Sequence, residues 1–185
     1  PVMQDLIVLL YDSYLQINRP EKAYRILCLM ATIDEAAAQD LILEETIREG
    51  KIDAIEEIMD RHPKRDELCV FLDDYRKNAK SVSKAQMLNA VLPGTGYFYV
   101  GQKKAALTSF LINALFTAAA YEFFDRGYIA AGLIVASFEM GWYVGGINGA
   151  GLAAKDYNQQ LYEILGKELL IRNSLFPILM IQKSF

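Results

Sequence analysis

The stretch Leu92-Pro-Gly-Thr-Gly-Tyr-Phe-Tyr-Val-Gly101, with the two apolar runs behind it, decides how this chain is read. Ala105–Phe124 is 20 residues of almost unbroken apolar character, and Tyr128–Asn148 is a second such run. Only Asp125, Arg126 and Gly127 separate them. A run of about 20 apolar residues is long enough to cross the ~30 Å hydrocarbon core as a helix. The expectation is a membrane-spanning helical hairpin with spans 105–124 and 128–148. Just upstream, Lys84–Leu92 is too short to span and Pro93 ends it. Gly94 and Gly96 then permit backbone angles that other residues disfavour. Non-helical backbone at membrane depth needs cover from protein or water, so 84–92 reads as a half-helix tucked against the hairpin. Tyr97, Phe98 and Tyr99 beside Lys103 and Lys104 suit one interfacial belt, and Tyr121, Phe123, Phe124 and Tyr128 the other.

The hairpin can be tested against its own sequence. With the turn centred on Arg126, the small or polar stripe Ala106, Ser109, Asn113, Thr117 and Ala120 falls level with Gly146, Tyr143, Glu139, Val135 and Gly132. The single mid-span carboxyl, Glu139, then meets the single mid-span amide, Asn113, and a hydrogen bond between them is expected. A carboxyl at mid-membrane marks a functional site by default; the alternatives are a proton or cation site and a structural lock. Ser137, Gly141, Gly145, Gly149 and Ala153 recur every four residues on another face. Such a series admits a close helix neighbour, either the half-helix or a second copy of the chain. Lys155–Arg172 is amphipathic through Leu161, Ile164, Leu165 and Leu169 and suits an interfacial helix. Pro177 breaks the apolar tail Leu175–Ile181.

Charge separates the halves. The formal net charge of -4 hides 17 acidic against 11 basic residues in 1–80, and 6 against 8 in 81–185. Residues 2–80 lack strand-like alternation and carry almost no glycine, so helices are expected near 2–16, 20–30, 34–49, 51–61 and 63–78. Leu10, Tyr14, Ala23 and Leu27 resemble the spacing of a tetratricopeptide repeat, in which a small residue at Ala23 lets two helices approach. That resemblance implies a groove for a partner peptide; the other reading is a helical spacer. The acidic run Asp34–Asp60 reads as a solvated surface. Arg76, Lys77, Lys80 and Lys84 form a basic cluster suited to an anionic lipid surface, and the acidic balance of the module disfavours nucleic acid. Cys28 and Cys69 are isolated and His62 is the single histidine, so the residues offer no metal set, no catalytic group and no cofactor motif, and the two thiols read as buried.

The residues Pro93-Gly94-x-Gly96-Tyr97-x-Tyr99-x-Gly101, followed by Lys103, Lys104 and a short-loop hairpin, resemble the TM2-like membrane domain common in bacteria. The segment Tyr143-x-Gly145-Gly146-x-Asn148-Gly149-Ala150, with Ala153, Ala154, Tyr157 and Asn158, is similar to the closing motif of a Bacteroidetes-type branch of unknown function. Together they cover about residues 84–160; the N-terminal module lies outside. The resemblance implies a small integral-membrane module, often attached to a soluble domain, with no established enzyme activity.

The sequence thus predicts an all-α chain in three parts: a repeat-like helical module over 1–80, a membrane module over 81–160, and an amphipathic helix and tail over 161–185. The function expected is a non-enzymatic membrane scaffold or assembly factor with protein and lipid partners. The alternative is a small channel, transporter or ion-coupled subunit using Glu139. A soluble helical protein burying the hairpin would need more covering chain than 80 residues supply. Basic residues at 76–84, 103–104 and 155 share one end of the hairpin. The positive-inside rule then puts both termini on the cytoplasmic side of a bacterial inner membrane; export of the N-terminal module is the alternative.

Overall fold

The computed structural model describes residues 2–173, with side chains from Leu6 onward, and these residues contain helices and turns but no strand. Among the described residues nine helices follow one another: α1 (Val2–Gln16), α2 (Pro20–Ile33), α3 (Glu35–Glu49), α4 (Ile52–Met59), α5 (Arg65–Asn78), α6 (Val82–Val91), α7 (Thr95–Val100), α8 (Lys103–Asp125) and α9 (Ile129–Arg172). The all-α expectation holds. The expected tail Leu175–Ile181 lies outside the described residues. Two compact units divide the chain, one of Lys77–Leu161 and one of the residues up to Arg76 together with the chain from Tyr162.

In the unit that holds the N-terminal helices, local chemistry sets the helix ends. Pro20 occupies the first turn of α2, where its missing N–H costs nothing. Asp34 caps α3, its Oδ1 accepting from the Ala37 N–H at 3.1 Å. Gly50 closes α3 at φ +70°, a conformation that disfavours a side chain. The α1–α2 pair packs through Ile7, Val8, Tyr11, Ala23 and Met30. Ala23 is fully buried, as a close crossing requires. The buried face of α1 is not the one its leucines suggest: Leu6, Leu9 and Leu10 are exposed, while Val8 and Tyr11 are inside. Leu10, a large position of the repeat pattern, is 41% exposed.

A second core joins Leu43, Ile47, Ile55, Leu68, Phe71 and Leu72 to Leu169 and Leu170 of α9. Tyr162 seals it, donating from its hydroxyl to the Ile47 carbonyl at 2.8 Å and meeting Phe71 and Tyr75 edge-on. Here the structure differs from the sequence reading. Residues 155–172 are not a separate interfacial helix but the end of α9, which runs unbroken for 44 residues. No proline lies between Tyr128 and Arg172 to stop it. Of its apolar face, Leu165 and Leu169 pack into this core while Ile164 is exposed. The cysteines differ as well, for Cys28 is exposed and Cys69 half-buried with its Sγ 3.4 Å from Met59 Sδ. Neither thiol lies among the buried core residues.

The Lys77–Leu161 unit is built around α6, α7 and the Ala150–Ala154 segment of α9. Ser81 caps α6, its Oγ accepting from the Lys84 N–H at 3.2 Å. Pro93 ends α6 near where the sequence places the stop. The glycine stretch that follows is helical, not irregular: α7 is a six-residue helix set between Gly94 at φ +94° and Gly101 at φ +93°. Its core is Ala85, Val100, Ala150, Ala153 and Ala154, small side chains that let helix backbones lie close. The helices α8 and α9 are long and apolar enough to cross a bilayer, and only 17% and 6% of their most apolar 18-residue windows are buried.

Candidate functional site

The motif at 93–101 is a packing device whose glycines have distinct reasons to be glycine. A Cβ on Gly96 would collide with the Ala85 carbonyl oxygen and come within 2.8 Å of Ala150 Cβ and Asn89 Cβ. Gly94 has left-handed backbone, and a Cβ there would collide with the Ala106 carbonyl oxygen. Gly101 has open space around it, so its requirement is the positive φ alone. Thr95 Oγ1 donates to the carbonyls of Leu88 at 2.5 Å and Leu92 at 2.6 Å, closing the orphaned end of α6. Asn89, which the sequence reading does not single out, is 1% exposed, and its Oδ1 accepts from the Gly94 N–H at 2.8 Å. An asparagine three residues inside a helix and four before a Pro-Gly was the available signal.

The two quoted motifs meet in space. Asn158 of the closing motif clasps the backbone of Lys80, accepting from its N–H at 2.7 Å and donating to its carbonyl at 2.9 Å. Lys80 Nζ lies 5.3 Å over Tyr99 and 5.7 Å over Tyr157, and Lys84 Nζ 5.1 Å over Tyr99. Exposed cation–π contacts of this kind contribute about 0.5–1 kcal/mol each. They hold two ammonium groups at one end of the unit.

The glycine series of α9 divides. Gly149 packs on the Tyr97 ring and hydroxyl, and Ala153 is in the small-residue core, so this half takes α6 and α7. Gly141 and Gly145 are exposed, and among the described residues a Cβ on either would meet nothing within 4 Å. Gly146 and Gly151 complete the contact, against Asn89 and Gln86.

The expected Asn113–Glu139 hydrogen bond is not formed. Asn113 Nδ2 donates to the Ser109 carbonyl of its own helix at 2.6 Å, while Asn113 Oδ1 and Glu139 Oε2 are enclosed without partners. An asparagine inside a helix can bond the carbonyl one turn back, and the Asn113 amide is spent in that way within α8.

A polar cluster in the other unit was also illegible in the sequence. Glu44 is 4% exposed and pairs with Arg48, which also reaches Asp12 at 3.8 Å. Tyr11 donates from its hydroxyl to Glu45, and these residues line a cavity of about 30 Å³ with Leu15 and Leu41. Burial pushes the Glu44 carboxyl up to about 7, with Arg48 opposing and nearby Asp12 reinforcing the shift. A carboxyl raised in the folded state binds more protons there than in the unfolded chain. Its contribution is therefore full below its ordinary value near 4.5 and is lost as pH rises toward 7. Glu44→Gln is expected to flatten that fall, measured as the melting temperature of this unit at several pH values. An unchanged slope would mean that Glu44 is not the group responsible. The single histidine, His62, is buried with Nε2 3.5 Å from Asp40 Oδ1 and Nδ1 accepting from the Lys64 N–H, and burial holds it below its ordinary value.

Among the described residues no group of three or more His, Cys, Asp or Glu is placed to hold a metal ion. No protein-family model matches the chain, and no curated protein and no solved structure matches it.

Proposed function

We propose that this chain is a non-enzymatic integral-membrane scaffold or assembly factor that presents its N-terminal helical module at a bilayer surface. The observation that carries the reading is the exposure of α8 and of the first half of α9. Leu111, Leu115, Leu133, Phe138 and Met140 are each more than half exposed, on helices whose apolar windows are almost entirely uncovered. A soluble monomer rarely tolerates an apolar patch beyond roughly 300–600 Å², and hydrocarbon is the solvent that suits a larger one. The small-residue clasp of α6 and α7 on α9 has the character of close packing within a membrane. Lys80, Lys84, Lys103, Lys104 and Lys155 against the Glu122–Arg126 pair at the turn support a cytoplasmic N-terminal module in a bacterial inner membrane. The role of the module is protein binding, supported by the apolar side chains Leu6, Leu9, Leu29 and Ile33 that α1 and α2 leave exposed.

Alkaline carbonate extraction tests the reading. The full-length protein is expected to stay with the membrane pellet, whereas Leu115→Arg combined with Phe138→Arg should release a large fraction, since each mid-span arginine costs about 2.5–3.5 kcal/mol of insertion. Full extraction of the unmodified protein would contradict integration.

A further inference from the structure

The structure divides the basic cluster that the sequence places ahead of the apolar runs. Arg76 belongs to the unit of the N-terminal helices and is paired with Glu56. Lys80 and Lys84 belong to the other unit, and neither makes an ion pair among the described residues. Their ammonium groups stand 5.3 and 5.1 Å from the centre of the same Tyr99 ring, and Lys80 also lies 5.7 Å over Tyr157. The platform is fixed from both sides. The Tyr99 hydroxyl accepts from the Ser81 N–H at 3.2 Å, and Asn158 clasps the Lys80 backbone. Two like charges gathered on one ring repel each other, a cost that a bound anion removes. The unit's own acids do not supply it: Glu122 and Asp125 are at the far end of α8, Glu139 is in mid-span, and Asp156 is exposed and makes no ion pair.

The same helix carries an apolar track away from these charges. Lys84, Met87 and Val91 fall on one face of α6, with Met87 66% and Val91 81% exposed. Val91 lies about 10 Å along the axis from Lys84. A charged head followed by an apolar stem is the pattern of a phospholipid. We infer that Lys80 and Lys84, held on Tyr99, bind the phosphate of an anionic phospholipid whose acyl chains lie along Met87 and Val91. Each ammonium brings three hydrogen-bond donors to the phosphate oxygens. The lysines take the ring faces that a choline headgroup would seek and repel its charge, so the site favours a headgroup with net negative charge. An inorganic phosphate or an acidic peptide would leave the apolar track uncovered. The inference rests on the membrane reading, which supplies the lipid.

The test reconstitutes the full-length protein into vesicles of equal phosphatidylcholine and phosphatidylglycerol with matched chains. Floated protein is released into nonionic detergent and weighed intact by native mass spectrometry. The expected result is phosphatidylglycerol retained in excess over phosphatidylcholine. Lys80→Gln and Lys84→Gln should each lower that preference about fivefold, the usual worth of one lysine near an anionic surface. Tyr99→Leu keeps both charges but removes their platform, and it should weaken retention as a lysine variant does. Lys103→Gln combined with Lys104→Gln removes two exposed charges that have no ring beneath them and should change the preference little. Equal retention of the two lipids, unchanged retention in Tyr99→Leu, or a loss in the Lys103–Lys104 variant matching that in Lys80→Gln would overturn the site while leaving the membrane reading intact. Inorganic phosphate bound in place of lipid would overturn it in favour of a free anion. Protein that fails to float with the vesicles would overturn the membrane reading and this inference together.

Discussion

Gly96→Ala is expected to lower the stability of the Lys77–Leu161 unit by about 3 kcal/mol or more, at the upper end of what overpacking a tight core costs. The added methyl has nowhere to go. It would meet the Ala85 carbonyl oxygen, Ala150 Cβ and Asn89 Cβ at once, and none of these is the yielding tip of a long side chain. Relief requires α7 to lift from α6 and α9, which opens the Ala85–Ala154 core and strains the Asn89–Gly94 hydrogen bond. Gly101→Ala is the matched control. Space is open around Gly101, so only the positive φ is penalised, at about 1–2 kcal/mol. Thermal unfolding of purified protein in detergent, followed by circular dichroism, should rank the wild type above Gly101→Ala and Gly101→Ala above Gly96→Ala. Equal melting of Gly96→Ala and wild type would mean that α7 does not seat where it is drawn.

Leu169→Ala is expected to cost about 2–4 kcal/mol, the usual range for a buried leucine whose cavity does not collapse. The side chain is 4% exposed in a core with Leu43, Ile47, Leu68 and Phe71. Hydrogen exchange of the full-length protein should accelerate in α3 and α5 as well as in the last turns of α9. Ile164→Ala, at a position 58% exposed on the same helix, should change little. Faster exchange confined to residues 160–172 would contradict the shared core and return this segment to the role of a surface helix.

Much of the architecture could be read from punctuation. Pro20, Gly50 and Pro93 mark helix limits because each imposes a backbone constraint that acts locally, and the two apolar runs announce themselves by length. Features that depend on a distant partner were not legible. Val8 and Tyr11 lie inside while Leu9 and Leu10 lie outside, because the position of α2 selects the buried face. Glu44 reads as one more surface acid until Arg48 and Asp12 gather around it. Leu169 is apolar on either reading, and only the fold decides whether protein or lipid covers it. The Asn113 amide turns to the Ser109 carbonyl of its own helix, a local competitor that a turn-centred alignment does not weigh. Of the sequence motif, Gly94 and Gly96 are explained by close approach and Gly101 by backbone angle. Among the described residues, a Cβ on Gly141 or Gly145 would meet nothing within 4 Å, so no contact there explains them.

The central claim is that α8 and α9 cross a membrane with the N-terminal module inside, and sidedness tests it most directly. On a Cys28→Ser, Cys69→Ser background, single Lys80→Cys and Arg126→Cys variants are treated in intact cells with a membrane-impermeant thiol reagent, before and after lysis. The account predicts labelling of Arg126→Cys before lysis and of Lys80→Cys only after it. Labelling of Lys80→Cys alone in intact cells would reverse the orientation, and labelling of both before lysis would contradict a spanning hairpin.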